Sequence, residues 1–525
     1  MKFERSYGIL LHITSLPGKH GIGTLGDEAY EFIDLLSDNG ASYWQILPTG
    51  PVSDSMCYSP YSSLSAFAGN ELFISTERIR NKKWFSEGIS QPEIPENSYA
   101  DFKKAGEYIF SFLKSAEINF WKHCTPDARD EFNLFCLEHG AVWLNDYALF
   151  KALSKKYGSY NWLEWDKDVA LREKKSLAAA ITELDDEINF IKFAQYIFFS
   201  QWNEMREYAR LKKIKIIGDI PIYMSMDSAD SWVSQNILEI NYDEMKPAFV
   251  AGVPPDYFCE TGQLWGNPVY RWHNENETLK NTPGKDALKF KKINEETYLW
   301  WLKRVRHSLK ITDIIRIDHF RGFESFWSVK FGEETAVDGE WIEGPGKSLF
   351  ERLLNDLGEL PVIAEDLGVI TLEVKKLRDE LDLPGMKILL FAFDHNNKNE
   401  YLPHNITNKH CVVYTGTHDN NTANGWFYNT SMHEDHRNYI IEYLAMKDWS
   451  DFHLRIIREA MATIADLVII PAQDILGYNS EFRMNTPGTI ENNWIWKLTK
   501  GSLNSDNMGK MKRMAHLFSR IPEEE

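Results

Sequence analysis

Acidic side chains recur just past short apolar runs in this sequence. They are Asp219 in KIIGDIPIY, Asp318 in IIRIDHFRG, Glu365 and Asp366 in PVIAEDLG, Asp394 in FAFD, Asp419 in YTGTHDNNT and Asp474 in IIPAQD. Any one of them could be a helix N-cap or a solvated loop residue. Repetition at run after run is harder to explain that way, and it suits glycoside transfer. There the transition state carries positive charge on the sugar ring. One carboxylate attacks the anomeric carbon, and a second, kept protonated, donates to the leaving oxygen. Retention of configuration needs the pair about 5–5.5 Å apart. Metal-assisted hydrolysis is the competing use of such carboxylates, but it normally clusters His ligands. Here His12, His319 and His418 belong to three different runs or their ends, and neither a GxSxG elbow, an HExxH pair nor a Gly-rich phosphate loop is present.

The neighbours of these acids sharpen the reading. Arg316 and Asp318 share a side of their run, because i and i+2 point the same way in a strand. An Arg beside a carboxylate favours the ionised form that a nucleophile needs. Glu365 follows an apolar run, a setting that raises a carboxyl pKa towards that of a proton donor. His319 and His418, beside Asp318 and Asp419, are donors suited to sugar hydroxyls. Trp265 in ETGQLWGNP and Tyr61 in YSPYSSLSAFAGN sit in Gly-, Pro- and Ser-rich stretches, where flat rings commonly stack on sugars. Trp202 and Trp300 fall at helical spacing and are read as core.

The elements that must position these residues are eight short apolar runs: 8–13, 43–47, 215–218, 313–317, 361–364, 386–391, 411–414 and 466–470. Unalternating runs of this length are strands buried on both faces, as in parallel sheets. Helical stripes stand between several of them. Ala29, Phe32, Ile33 and Leu36 end at Gly40; Phe198, Trp202, Met205 and Ala209 precede the third run. Tyr298, Leu302, Val305 and Leu309 precede the fourth, and Leu454, Ile457, Met461 and Ile464 the eighth. Strand and helix in alternation predict an α/β fold, a (β/α)8 TIM barrel, with an open doubly wound sheet as the rival. The long gap between the second and third runs predicts an inserted, mainly helical subdomain. A second excursion follows the third run. Nothing strand-rich follows Pro471, so no C-terminal β-domain is expected.

Composition narrows the partners. The chain has 525 residues, of which 43% are hydrophobic and 14% aromatic, ample for a large core. Lys and Arg number 58 against 77 Asp and Glu, a net charge of −19. That excess repels nucleic-acid phosphates and anionic lipid headgroups, so neither nucleic acid nor membrane is expected as a partner. Cys57, Cys124, Cys136, Cys259 and Cys411 form no CxxC pair, which fits a reducing compartment. No apolar run reaches signal-peptide or membrane-spanning length. The expectation is a soluble, cytoplasmic protein with neutral substrates.

RIDHFRG, AEDLG and THDN, in that order on the fourth, fifth and seventh runs, resemble the catalytic regions of the α-amylase clan. SPYSSLSAFAGN, GDIPIYM, GVPPDYFCETGQLWGNPVY, and PAQDILG followed by RMNTPGT are similar to the 4-α-glucanotransferases, or amylomaltases, of glycoside hydrolase family 77. The likeness runs from LLHITSLPG to NNWIWKL. It implies one catalytic barrel over residues 1–525, with a helical insertion near 75–195 and a loop-rich one near 220–295 over the active site. It implies Asp318 as nucleophile, Glu365 as general acid/base and Asp419 as the carboxylate that steadies the distorted sugar. Arg316, His319 and His418 match substrate-contacting positions; Tyr61, Asp256, Trp265, Asp394 and Asn485 match positions that hold the glucan. No cofactor and no metal are implied. The activity implied is retaining transfer of α-1,4-glucan segments from maltodextrin, starch or glycogen chains to the 4-hydroxyl of another glucan or glucose. A plain α-glucan hydrolase and a non-catalytic glucan-binding protein on the same fold are the alternatives. One stretch departs from the family pattern: PVSDSMCY, between PTG and SPY, is longer and less regular than expected and puts a secondary glucan-binding aromatic in question.

Overall fold

All eight apolar runs contribute strands to one parallel sheet. These are β1 (Ser6–Leu10), β2 (Tyr43–Gln45), β3 (Lys215–Pro221), β4 (Ile314–Asp318), β5 (Val362–Ala364), β6 (Gly385–Ile388), β7 (Cys411–Tyr414) and β8 (Leu467–Pro471). The computed structural model describes residues 3–85, 98–255, 260–274 and 292–521. Neighbouring strands follow the order β5-β4-β3-β2-β1-β8-β7-β6. The remaining seam, between β5 and β6, is bridged by the Ala364 N–H donating to the Pro384 carbonyl at 2.9 Å. Asp366 reinforces it by accepting from the Met386 N–H at 2.7 Å and by pairing with Arg378. A side chain at Gly385 would reach within 2.6 Å of the Asp366 carboxylate, so the close approach at the seam requires glycine. A closed order of this kind is a (β/α)8 barrel and rules out the doubly wound sheet.

Several strand boundaries shift from expectation: β2 stops at Gln45, and β3 runs on to Pro221, so that Asp219 lies within it. β1 ends at Leu10 and the chain turns through a 3-10 segment at Ile13–Ser15. β6 ends at Ile388 and passes into a turn at Leu389–Phe391. Leu11 and Ile13 are buried although they lie outside the strand. Apolar character there reports a covered loop, which periodicity cannot separate from a strand.

The helices follow their apolar faces. α1 (Asp27–Asp38) buries Ala29, Phe32, Ile33 and Leu36 and is followed by Gly40 at φ 75°, a left-handed stop. α2 (Phe102–His123), α3 (Pro126–His139), α4 (Asn145–Tyr157) and α5 (Asp185–Leu211) fill the stretch between β2 and β3. α5 buries Phe198, Trp202, Met205 and Ala209 as its spacing predicts. α6 (Glu295–Ile311), capped by Asn294, carries Trp300 and Trp301 into the core. The helix before β8 runs Phe452–Ala462, so Ile464, placed in its stripe by spacing, lies beyond its end and is exposed.

Residues 220–295, read as loop-rich, contain strands. Phe249–Val253 and Gln263–Pro268 pair with each other, and the first also pairs with Ser325–Lys330, which continues to Gly339–Glu343. This antiparallel sheet spans two excursions of the chain, one after β3 and one after β4. After Pro471 no strand occurs among the described residues, only an isolated bridge from Trp496 to Tyr99. No helix of the described residues is long and apolar enough to cross a membrane.

Candidate active site

The C-terminal ends of β3, β4, β5 and β7 gather the ionisable groups. Register pairs Arg316 on β4 with Asp219 on β3, and Ile317 on β4 with Ala364 on β5. Asp318 and Glu365 therefore stand side by side, one step beyond the last paired residues. Arg316 is fully enclosed and divides its guanidinium between Asp219, at 2.6 Å, and Asp318, at 2.9 Å. Asp219 also accepts from the Tyr61 hydroxyl at 2.7 Å. The chain Tyr61–Asp219–Arg316–Asp318 fixes the Asp318 carboxylate from below while leaving it 27% exposed.

Glu365 is held by two backbone donors. The His319 N–H reaches one carboxyl oxygen at 2.6 Å and the Leu367 N–H the other at 3.0 Å. His319 sits at φ 52°, a left-handed conformation rare outside glycine, and so turns its N–H towards Glu365. Burial, then the negative charge of Asp318, push the Glu365 carboxyl from its ordinary 4.5 up to about 8, against the opposing pull of Arg316 and the two N–H groups. At neutral pH the group is protonated.

Asp419, in the loop after β7, behaves oppositely. Burial at the cleft base pushes it up, but His418 and the Asn485 amide more than offset this and hold it well below the usual carboxylate range. His418 lies 3.2 Å from one carboxylate oxygen, and Asn485 donates to the other at 2.6 Å. The Asp419 side chain stays 43% exposed, because its open side faces the cleft. Two carboxyl groups with pKa values driven apart, beside a third fixed by an Arg, form an arrangement able to run acid and anion chemistry together.

The cleft above them is lined by Tyr61, Trp265, Asp318, His319, His418, Asp419 and Asn485 among others. Tyr61 stacks on His418 at 4.9 Å between centroids, and the Trp265 edge meets His319 at 4.8 Å. Trp265 lies on a strand, Gln263–Pro268, and not in a loop. Burial depresses the His319 imidazole to about 4, so it is neutral. Its Nε2 has no hydrogen-bond partner among the described residues.

Not every predicted residue joins them. Asp394 is exposed and accepts from the Asn396 N–H at 3.0 Å; like Arg316 and Glu365 it is absent from the cleft lining, but unlike them it has, among the described residues, no bond to the other site residues. Asp256 lies outside the described residues. Of the other strand-end acids, Asp366 closes the barrel seam. Asp474 accepts from the Ala423 N–H at 2.7 Å and from the Thr415 hydroxyl. Residues missed by sequence reasoning are Asp219 as the anchor of Arg316, Arg483, which donates to the Asp419 carbonyl, and Trp494, packed 5.7 Å from Tyr61. Asp219 carried a signal, its place just past an apolar run. Trp494 carried none. In the irregular stretch 51–58, Ser55, Met56 and Cys57 line the cleft, whereas Tyr58 stacks on Phe102 of α2 at 4.6 Å. Among the described residues, no group of three or more His, Cys, Asp or Glu is arranged to hold a metal ion.

A closed parallel barrel with such a cleft at its strand ends defines a (β/α)8 enzyme of the carbohydrate-active kind. The family is settled by comparison: the 4-alpha-glucanotransferase family model matches residues 11–279 and 284–503, and the chain belongs to that family. It is 44% identical to a 4-alpha-glucanotransferase of Synechocystis sp., over 98% of both chains. It is 40% identical to one of Thermus thermophilus, over 99% of this chain and all of the relative. The solved amylomaltase of Streptococcus agalactiae in complex with acarbose is similar over 99% of this chain and 100% of that chain, with a TM-score of 0.89 and 35% identity.

Proposed function

We propose that the protein is a retaining 4-α-glucanotransferase in which residues 1–525 work as one catalytic unit. Asp318 attacks C1 of an α-1,4-linked glucose unit while Glu365 protonates the departing glycosidic oxygen, giving a glycosyl ester on Asp318 and a free glucan end. The 4-hydroxyl of an acceptor glucan, deprotonated by Glu365, then attacks C1 and releases Asp318. Asp419, anionic below its usual range, faces the sugar ring as positive charge develops on it. Its grip by His418 and Asn485 keeps that charge fixed, so little reorganisation is needed at the transition state.

The observation that carries this reading is the pairing of a protonated Glu365 with an Arg-fixed Asp318 at adjoining strand ends. The rings of Tyr61 and Trp265, which line the cleft, suit sugar faces. Substrates are α-1,4-glucan donors (maltodextrin, starch or glycogen chains) with glucan or glucose as acceptor. A cytoplasmic setting, with no membrane or nucleic-acid partner, accords with the charge of −19. Incubation of the pure protein with maltotriose tests the proposal. A ladder of longer maltodextrins plus glucose is expected; short sugars alone would mean that water, and not a glucan, takes the intermediate.

A further inference from the structure

The Asp419 carboxylate is held by His418 and Asn485, side chains that two different loops carry. His418 belongs to the loop after β7. Asn485 lies in the stretch 483–486, beyond β8 and the short helix Ala472–Ile475. Asp419 keeps one place in the cleft only if these two loops keep one spacing.

Four hydrogen bonds set that spacing. The Asn485 N–H donates to the His418 carbonyl at 3.1 Å, and the Asn485 amide donates to the Asp419 carboxylate at 2.6 Å. Arg483 supplies the other two: its Nε donates to the Asn485 carbonyl and its Nη2 to the Asp419 carbonyl. One planar guanidinium thus spans the main chains of the two residues whose side chains meet in the cleft. Among the described residues, the His418 and Asp419 carbonyls have no other partner. The alternate residues are anchored elsewhere. The Met484 carbonyl accepts from the Trp494 N–H at 2.7 Å, and the Thr486 N–H donates to Asn493 at 2.8 Å. Successive residues of an extended chain face opposite ways, so 483–486 is gripped from both sides.

Arg483 itself does not reach the substrate. Asp419, His418 and Asn485 line the cleft and Arg483 does not; it stands half-buried behind them. Among the described residues it makes no ion pair, and its charge rests on two carbonyls. Burial pulls its pKa below the ordinary value, and the negative charge of Asp419 opposes that pull. A partly buried cation without an anionic partner costs stability, and the group that gains from this one is Asp419.

We propose that Arg483 is a positioning residue for glucan transfer: it locks the 418–419 and 483–485 segments together and so sets where the Asp419 anion meets the charged sugar ring. The inference rests on the reading of Asp419 given above. Positive charge on the ring grows only on the way to the transition state, so a displaced Asp419 costs rate and not binding.

Steady-state transfer from maltotriose by the full chain tests this. Arg483→Ala should lower kcat about ten- to a hundredfold, the worth of a charge-assisted hydrogen bond, with KM near the native value. Guanidinium ion, below the concentration that begins to unfold the native protein, should restore much of the lost rate, because one planar cation can reach both carbonyls. Methylammonium, which lacks the fork, should not. Asn485→Ala should also slow the reaction, and the double variant should be scarcely slower than the worse single one, since both act through one carboxylate. If Arg483→Ala does not fold, Arg483→Lys keeps the charge and the stem but serves only one carbonyl, and the same loss of kcat at unchanged KM is expected. Unaltered kcat in the variants, a loss shared equally by KM, additive losses with Asn485→Ala, or a rate that guanidinium leaves unrestored would overturn the proposal alone. A native protein that shows no transfer would overturn the reading of the site and the proposal with it.

Discussion

Asp318→Asn removes the anion facing Glu365 while keeping the shape of the side chain. The two carboxyl groups end adjoining parallel strands, and strands lie about 4.8 Å apart, close to the ~5.5 Å of a retaining pair. At that distance, and an effective dielectric near 20, two unit charges repel by about 3 kcal/mol. One pKa unit is about 1.4 kcal/mol, so the repulsion is worth roughly two units. Glu365 should then fall from about 8 in the native protein to about 6 in the variant. It should not return to its ordinary 4.5, because burial, the larger cause, is unchanged. Arg316 keeps Asp219 as its partner at 2.6 Å and does not swing free. A carbon-13 carboxyl titration reads this directly, with the Glu365 signal assigned by its loss in Glu365→Gln. A midpoint that stays near 8 would mean that Asp318 does not sense Glu365. A midpoint at 4.5 would mean that burial contributes nothing. Either result would refute the geometry.

Other perturbations test neighbouring parts. Because the Glu365 pKa is raised in the fold, its contribution to stability is present below about 4.5 and lost as pH rises through about 8. Glu365→Gln should therefore gain stability relative to the native protein as pH climbs from 5 to 9 in ~1-unit steps, read by thermal melts; a pH-independent difference would contradict the shift. Tyr61→Phe removes a donor to a buried carboxylate, worth about 1.5–3 kcal/mol, so kcat/KM for maltotriose should drop about tenfold or more. Tyr61→Ala, which also loses the stack on His418, should drop further, and wild-type rates in both would remove Tyr61 from the site. Asp366→Ala leaves Arg378 and the Met386 N–H without their seam partner and should cost about 3 kcal/mol in denaturant unfolding. An unchanged midpoint would show that the seam does not depend on it.

The eight strands were legible because parallel strands buried on both faces read as unbroken apolar runs. The carboxylates were legible as positions but not as roles. Glu365 and Asp366 are consecutive, and alternation sends one towards Asp318 and the other to the β5–β6 seam. The sequence shows the pair and not which side each takes. The Asp219–Arg316 bridge depends on register between β3 and β4, which a linear pattern does not specify. Asp394 and Asp474 share the local signature of Asp318, yet one serves its own loop and the other caps backbone. The antiparallel sheet above the barrel escaped notice because Phe249–Val253 finds its partner Ser325–Lys330 only across β4. Trp494 and Arg483 reach the site through tertiary packing alone.

The central claim is that Asp318 carries the sugar between donor and acceptor. In Glu365→Gln, a maltosyl fluoride should still react, since fluoride leaves without a proton. The ester should then accumulate, because no base activates the acceptor. Mass spectrometry of the digested protein should find the peptide containing Asp318 heavier by one maltosyl group. An unmodified Asp318 peptide under conditions where fluoride is released, or the added mass on Asp419 or any other residue, would contradict the account.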